Sequence, residues 1–283
     1  MSYVRGWITK PRRTFVLGVG AQKAGTTWLF QYLRQVRHCR MPGHKEFHVW
    51  DVLDLPYAAE LRVPEVPRHD HDARVAEMVA DPQKYFDFFA AQLTGSRITG
   101  DITPSYAGLS VERLRAVDSE FAKLGITVKS IFLMRDPVAR CVSAFRWRQR
   151  RGGYKLGLHV EGDALDDAFV RFALSCGSRV RTHYEMTWRT NEQALGEDRV
   201  HVELYERLFT ERALTRLDAF LGSHGPHRLS GQRYNASEHT RLWNPSEDAR
   251  RHVARAYRET YNYIAARRPD AIGAWGSYAL LGD

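Results

Sequence analysis

The sequence predicts an α/β fold, a single domain with a central parallel sheet flanked by helices. That expectation rests on three features of the chain. Residues 15–19 and 126–134 are apolar, partly β-branched runs, as buried parallel strands require. Each leads through a short turn into a segment with apolar residues at helical spacing, the strand–helix alternation of a wound sheet. At 283 residues, the chain is long enough to bury a full core of this kind.

The first unit is TFVLGVGAQKAGTTWLFQYLRQ, residues 14–35. Its strand ends in small residues, Gly20, Ala24 and Gly25, where the chain must turn sharply. Trp28, Leu29, Tyr32 and Leu33 then mark one face of a helix that starts at Gly25-Thr26. A strand, a small-residue loop and a helix N-terminus make an anion site. The first-turn N–H groups have no partner inside the helix, and the positive end of the dipole lies behind them. Gly20 and Gly25 stand at the Walker A spacing, but Thr26 occupies the position of that motif's lysine. The cation is Lys23, inside the loop, with the hydroxyls of Thr26 and Thr27 beside it.

Residues 38–51, HCRMPGHKEFHVWD, turn at Pro42-Gly43 and then alternate. The alternation sets Glu46 and His48 on one side of an extended segment, with Phe47 and Val49 on the other. An acid and an imidazole on one face, preceded by Lys45, form a candidate acid–base cluster. The plain alternative is a surface strand with a polar side. As the next strand of a parallel sheet, this segment would reach the same carboxyl edge as the anion loop. Residues 51–81 are rich in Pro, His and charge, show no sustained period, and are expected to form a lid or acceptor-binding excursion.

A helix is expected from 81, with Asp81 capping it, Pro82 in the first position, and Tyr85, Phe86, Phe89 and Leu93 on the apolar face. Residues 97–101 read as a short strand ending in DITPSY, and 110–124 as a helix closed by Gly125. The strand at 126–134 runs into Arg135-Asp136-Pro137, and a helix begins at once through Val138, Cys141, Val142 and Phe145. Arg135 therefore stands at a strand's carboxyl end. Ser143, eight residues on, can face the same ligand from just over two turns into the helix. In the plain alternative Asp136 caps the helix, Arg135 pairs with a nearby acid, and Ser143 is incidental.

Beyond it, 152–162 is a glycine-rich loop, 165–174 and 178–195 are helical, and 199–204 (RVHVEL) alternates as a further strand. Leu214, Leu217, Phe220 and Leu221 mark a helix stopped by Gly222. Residues 223–244 are polar and loop-like, and 245–266 form a last long helix. No internal repeat or low-complexity tract is present.

The balance of 42 Lys+Arg against 33 Asp+Glu gives a net charge of +9, which suits anionic ligands. The nearest approach to a nucleic-acid patch, RWRQRR at 146–151, reads better as the basic end of a helix, so no nucleic-acid partner is expected. Cys39, Cys141 and Cys176 are far apart and odd in number. They have neither metal-ligand spacing nor a disulfide framework, as in a reducing cytosol. The first residues lack the apolar region of a signal peptide, and no apolar run reaches membrane-spanning length. A cytoplasmic protein is expected.

Lys23-Ala24-Gly25-Thr26-Thr27-Trp28-Leu29 resembles the 5′-phosphosulfate loop of the sulfotransferases that use 3′-phosphoadenosine 5′-phosphosulfate (PAPS). Arg135 and Ser143, within RDPVARCVSAF, match the arginine and serine with which that family holds the 3′-phosphate. KEFHVWD resembles the segment of heparan-type members that carries the catalytic glutamate and a neighbouring histidine, and Glu46 and His48 match those positions. Tyr205-Glu206-Arg207-Leu208 resembles the family's YEDL step, with Arg207 replacing the acid. The resemblance covers about 15–150 well and weakens beyond Gly152. Members place a basic loop over the nucleotide near what are here Thr240 and Arg241, although the family's glycine-containing pattern is absent.

The resemblance implies a P-loop-NTPase-like sulfotransferase architecture. Its nucleotide core would span about 14–150 and 199–210, and its lid or acceptor loops 51–81, 152–162 and 223–244. It implies transfer of the sulfuryl group of PAPS to a hydroxyl, less readily an amine, of a carbohydrate, glycolipid or small-molecule acceptor. The product would be 3′-phosphoadenosine 5′-phosphate (PAP), and no metal is needed. Lys23 would meet the leaving oxygen. The cradle of Ala24, Gly25, Thr26, Thr27 and Trp28 would hold the donor's 5′ end, and Arg135 and Ser143 its 3′-phosphate. Glu46 or His48 would take the acceptor proton. Three other readings of the same residues stay open: a P-loop kinase of a small molecule, a non-catalytic nucleotide-binding module, and a basic nucleic-acid binder. Acceptor pockets built from loops carry no transferable code.

Overall fold

The computed structural model describes residues 13–56, 69–150, 163–227 and 243–282. Four parallel strands, β1 (Arg13–Gly20), β2 (Ile98–Asp101), β3 (Ile126–Met134) and β4 (Val200–Leu204), form a central sheet in the order β2-β1-β3-β4. The α/β class with a parallel sheet is as expected. Because β1 pairs with β2 on one side and β3 on the other, the winding reverses across β1. Ligands of open parallel sheets gather at the carboxyl ends of the strands beside such a reversal.

Helices cover both faces of such a sheet, which is why β1 is apolar from Phe15 onward; Phe15, Val16, Leu17 and Val19 are buried. Phe15 stacks on Phe121 with centroids 4.2 Å apart and meets Phe89 edge-on at 4.9 Å. These contacts seat α4 (Gln83–Gln92) and α5 (Val111–Lys123) on one face. Phe47 and Trp50 join the same aromatic cluster, Phe47 at 5.0 Å from Phe89 and Trp50 at 5.0 Å from Tyr85. At the outer edge, Arg268 donates to the Val202 carbonyl of β4 at 2.9 Å, covering part of an exposed strand edge.

β3 passes into α6 (Pro137–Arg150) through Asp136, whose carboxylate caps the helix. It accepts from the Val138 and Ala139 N–H groups at 3.0 and 3.3 Å. Two elements from far down the chain hold the same carboxylate: the Tyr261 hydroxyl at 2.9 Å and the Ser277 N–H at 2.8 Å.

Several elements differ from expectation. Residues 45–48 are not a strand of the sheet; an irregular stretch leads directly into α2 (Val49–Asp54). The region 51–81 contains α2 and a further helix, α3 (Asp70–Ala80), with 57–68 outside the described residues. α3 buries only Val75 and Met78, too sparse a stripe to register as a period. The helix expected over 178–195 is two, α8 (Cys176–Val180) and α9 (Tyr184–Leu195). The buried Thr182 turns its hydroxyl back onto the Ser178 carbonyl at 2.6 Å, a contact that bends helices. The last helix also divides, into α11 (Glu247–Ala256) and α12 (Arg258–Arg267). The break is at Tyr257, whose hydroxyl reaches the Ala173 carbonyl at 2.5 Å. The expected loop 152–162 and most of 223–244 lie outside the described residues. No helix among the described residues is long and apolar enough to cross a membrane.

Phe47 is the anchor that ties the irregular 45–48 stretch to the core. Phe47→Ala is expected to cost about 3–5 kcal/mol of unfolding free energy, read by urea denaturation; a loss below about 1 kcal/mol would show that the stretch is held by its backbone bonds alone.

Candidate active site

β1 ends at Gly20, and α1 (Thr26–Leu33) springs from Gly25. Lys23 and Gly25 are both left-handed, with φ of 71° and 93°. At Gly25 a side chain is excluded twice over, because a Cβ there would also stand 2.9 Å from Leu208 Cδ2. No side chain caps α1, so its first N–H groups are left for a ligand. They open on a cleft of about 410 Å³.

The end of β3 supplies the opposite wall. The Arg135 guanidinium donates to the Lys23 carbonyl at 3.2 Å and lies 4.6 Å over the Tyr205 ring. Ser143 faces the cleft from α6, and so does Trp147 one turn later, its ring 5.7 Å from Lys23 Nζ. Lys23, Gly25, Thr26, Thr27, Trp28, Glu46, His48, Arg135 and Ser143 thus all line one cleft. Trp28 shows it little surface and stacks on Tyr32 at 5.2 Å. Ala24 is buried behind the loop, its N–H bonded to the Ala21 carbonyl at 3.2 Å. Thr240 and Arg241 lie outside the described residues.

Glu46 and His48 reach the cleft without a sheet ladder. Their backbone hangs from the segment after β2: Ile102 N–H donates to the Lys45 carbonyl at 3.0 Å, Phe47 N–H to Thr103 Oγ1 at 3.0 Å, and Val49 N–H to the Tyr106 hydroxyl at 3.2 Å. The buried Asp101 carboxylate fixes those supports, accepting from Thr103, Tyr106 and Tyr85 at 2.6, 2.9 and 3.0 Å. Burial pushes Asp101 up to about 6 in spite of these bonds. The left-handed turn at His48, φ 53°, brings its ring between two carboxylates. Nε2 is 3.0 Å from Glu46 Oε2, and Nδ1 is 2.8 Å from Asp51 Oδ2. The fully buried Asp51 also accepts from the Ser105 hydroxyl. On the other side of Glu46, Lys45 Nζ stands 2.5 Å from Oε1 and 3.3 and 3.4 Å from the hydroxyls of Thr26 and Thr27.

Sequence reasoning did not single out Asp51, Ser105, Trp147 or Arg181, all at or behind this cleft. Only Asp51 left a signal, its three-residue spacing from His48 at a helix start.

Burial penalises the imidazolium of His48, but Asp51 and Glu46 outweigh it and raise His48 to about 10. For Glu46 burial acts upward, yet His48 and Lys45 together bring it down to about 2. At neutral pH His48 is therefore an imidazolium beside an ionised Glu46. Lys23 moves the other way, to about 8, through burial first and then the charges of Arg150, Arg135, Lys45 and Arg140. Among the described residues no group of three or more His, Cys, Asp or Glu is arranged to hold a metal ion.

The signs of these shifts set the pH response. The His48 contribution to stability is complete below its ordinary 6.5 and is lost as pH rises through about 10. The Glu46 contribution is present above its ordinary 4.5 and is lost as pH falls toward about 2. Asp51→Asn removes one of the two anions on His48. Its titration midpoint, followed by ring-proton NMR, is expected to fall by about one pH unit or more. An unmoved midpoint would mean that Asp51 does not hold the imidazolium.

No protein-family model matches the chain, and no curated protein matches its sequence. Among solved structures, the fold is similar to that of a sulfotransferase from Alicyclobacillus acidocaldarius. The TM-score is 0.59 at 18% identity, over 92% of this chain and 96% of that one. The sulfotransferase domain from the curacin biosynthetic pathway aligns over 88% of this chain and 98% of its own, with 15% identity and a TM-score of 0.44. The shared fold rests on the first of these.

Proposed function

We propose that the chain is a PAPS-dependent sulfotransferase. It would move a sulfuryl group to a hydroxyl, less readily an amine, of a carbohydrate, glycolipid or small-molecule acceptor. The observation that carries this reading is a convergence. A cationic loop at an uncapped helix N-terminus, an arginine and serine from the neighbouring strand–helix unit, and a carboxylate–imidazole–carboxylate chain all meet in one cleft. The fold shared with a known sulfotransferase supports it.

The residues present fit the donor. The first-turn N–H groups of α1 and the hydroxyls of Thr26 and Thr27 suit its 5′ end, and Arg135 with Ser143 its 3′-phosphate. When bound, PAPS supplies the sulfuryl group and leaves as PAP. Lys23 is placed to meet the charge that grows on the departing bridging oxygen, the electrostatic part of the catalysis. Glu46 takes the acceptor proton. His48 holds its own proton at neutral pH and has no free lone pair between Glu46 and Asp51, so its part is to orient Glu46 and share the charge. Trp147 lends the cleft an apolar wall beside Lys23, suited to the face of a sugar or an aromatic acceptor.

Incubation with sulfur-labelled PAPS and a panel of hydroxyl acceptors tests donor and acceptor together; no transfer to any acceptor, with ATP accepted instead, would overturn the reading. Lys23→Ala is expected to lower turnover by about 100-fold or more with the fold intact, and near-normal transfer would remove its role. Arg135→Ala is expected to weaken PAP binding by about tenfold or more in calorimetry; unchanged affinity would exclude it from the 3′-phosphate site.

A further inference from the structure

Lys45 serves two anion sites at once. Its ammonium bonds the Glu46 carboxylate at 2.5 Å and lies within 3.3 and 3.4 Å of the Thr26 and Thr27 hydroxyls. Those hydroxyls belong to the uncapped first turn of α1. The Lys45 side chain is only 19% exposed, so an anion lodged at that turn meets its charge with little water between them. Glu46 would not be stranded by the loss, because His48 Nε2 still holds its other oxygen at 3.0 Å. Of the remaining neighbours, His71 meets only the Glu46 backbone carbonyl, at 3.0 Å.

Resting on the sulfuryl-transfer reading, we infer that Lys45 is a donor-operated guard on the base. Its ammonium neutralises Glu46 until an anion arrives at the α1 N-terminus, which draws the ammonium away and frees Glu46 to take the acceptor proton. Lys45 is then a donor-binding residue, and a positioning residue for the proton transfer. The arrangement answers a chemical difficulty. A carboxylate flanked by two cations is a feeble base, and removing one of them restores part of its basicity. It also imposes an order, with the donor seated before the acceptor proton is taken.

PAP is the probe, because it carries the 5′-phosphate that would sit on the first turn of α1. A crystal structure with PAP is expected to show Lys45 Nζ on that phosphate and parted from Glu46. In calorimetry K45M should weaken PAP about tenfold, while K45R keeps most of the affinity. E46Q releases Lys45 from its competing partner and should tighten PAP about threefold or more. That gain should vanish in the K45M background, the coupling that a double-mutant cycle isolates. If K45M does not fold, as judged by near-UV circular dichroism, the PAP complex of the wild-type protein still decides, by whether Lys45 Nζ has parted from Glu46. A Lys45–Glu46 pair that persists with PAP bound, or an E46Q gain undiminished in K45M, would overturn the guard and leave the donor reading standing. A wild-type protein that binds no PAP would sink both.

Discussion

The hydrogen bond from the Arg135 guanidinium to the Lys23 carbonyl, 3.2 Å long, joins the ends of the two central strands. β1 and β3 run side by side to nearly the same level, Gly20 opposite Phe132, and each then delivers one cation to the shared edge. The left-handed turn at Lys23 allows this, since it turns the carbonyl toward Arg135 while the amine remains in the cleft. The spacing between the helix N-terminus and the guanidinium is therefore set by the sheet. A ligand with anionic groups at both ends meets a ruler of fixed length, which is preorganisation in its simplest form.

Electrostatic tension surrounds that bond. Lys23, Lys45 and Arg135 crowd one cleft, and Lys23 holds its proton less tightly, through burial first and then through the neighbouring cations. Beneath them, Arg140 is almost wholly buried. Its guanidinium meets the Ser178 hydroxyl at 2.6 Å and Cys141 Sγ at 3.1 Å, and no carboxylate pairs with it among the described residues. Buried cations satisfied only by neutral groups are costly. The charge of Arg140 is nonetheless felt in the cleft, where it adds to those acting on Lys23. Opposite stands the Glu46–His48–Asp51 chain, which keeps negative charge in the same cleft by sharing it through an imidazolium.

The parts legible in the sequence were those with a local cause. β1 and β3 announce themselves as apolar runs, the α1 N-terminus by Gly25 and its neighbours, and the Arg135-Asp136-Pro137 turn by the strand before it and the period after it. Glu46 and His48 do share a side, but the alternation suggested a strand where the backbone in fact hangs from Ile102, Thr103 and Tyr106. Those bonds span more than fifty residues, and no window of sequence contains both ends. The partners that set the chemistry, Asp51 on His48 and Lys45 on Glu46, were in view as letters; their roles depend on a left-handed turn at a histidine that no propensity scale anticipates. The breaks at Thr182 and Tyr257 escaped for a similar reason, being made by single side chains reaching buried carbonyls.

The Asp136 carboxylate, next to Arg135, is gripped by Tyr261 and by the backbone of Ser277. Those two partners stand 125 and 141 residues further along the sequence, so the cap at the start of α6 is completed only when α12 and residues 276–281 pack against it. A chain folded only as far as β4 would lack two of the four groups that hold the Asp136 carboxylate. The β3 wall of the cleft is thus braced by residues that do not line it.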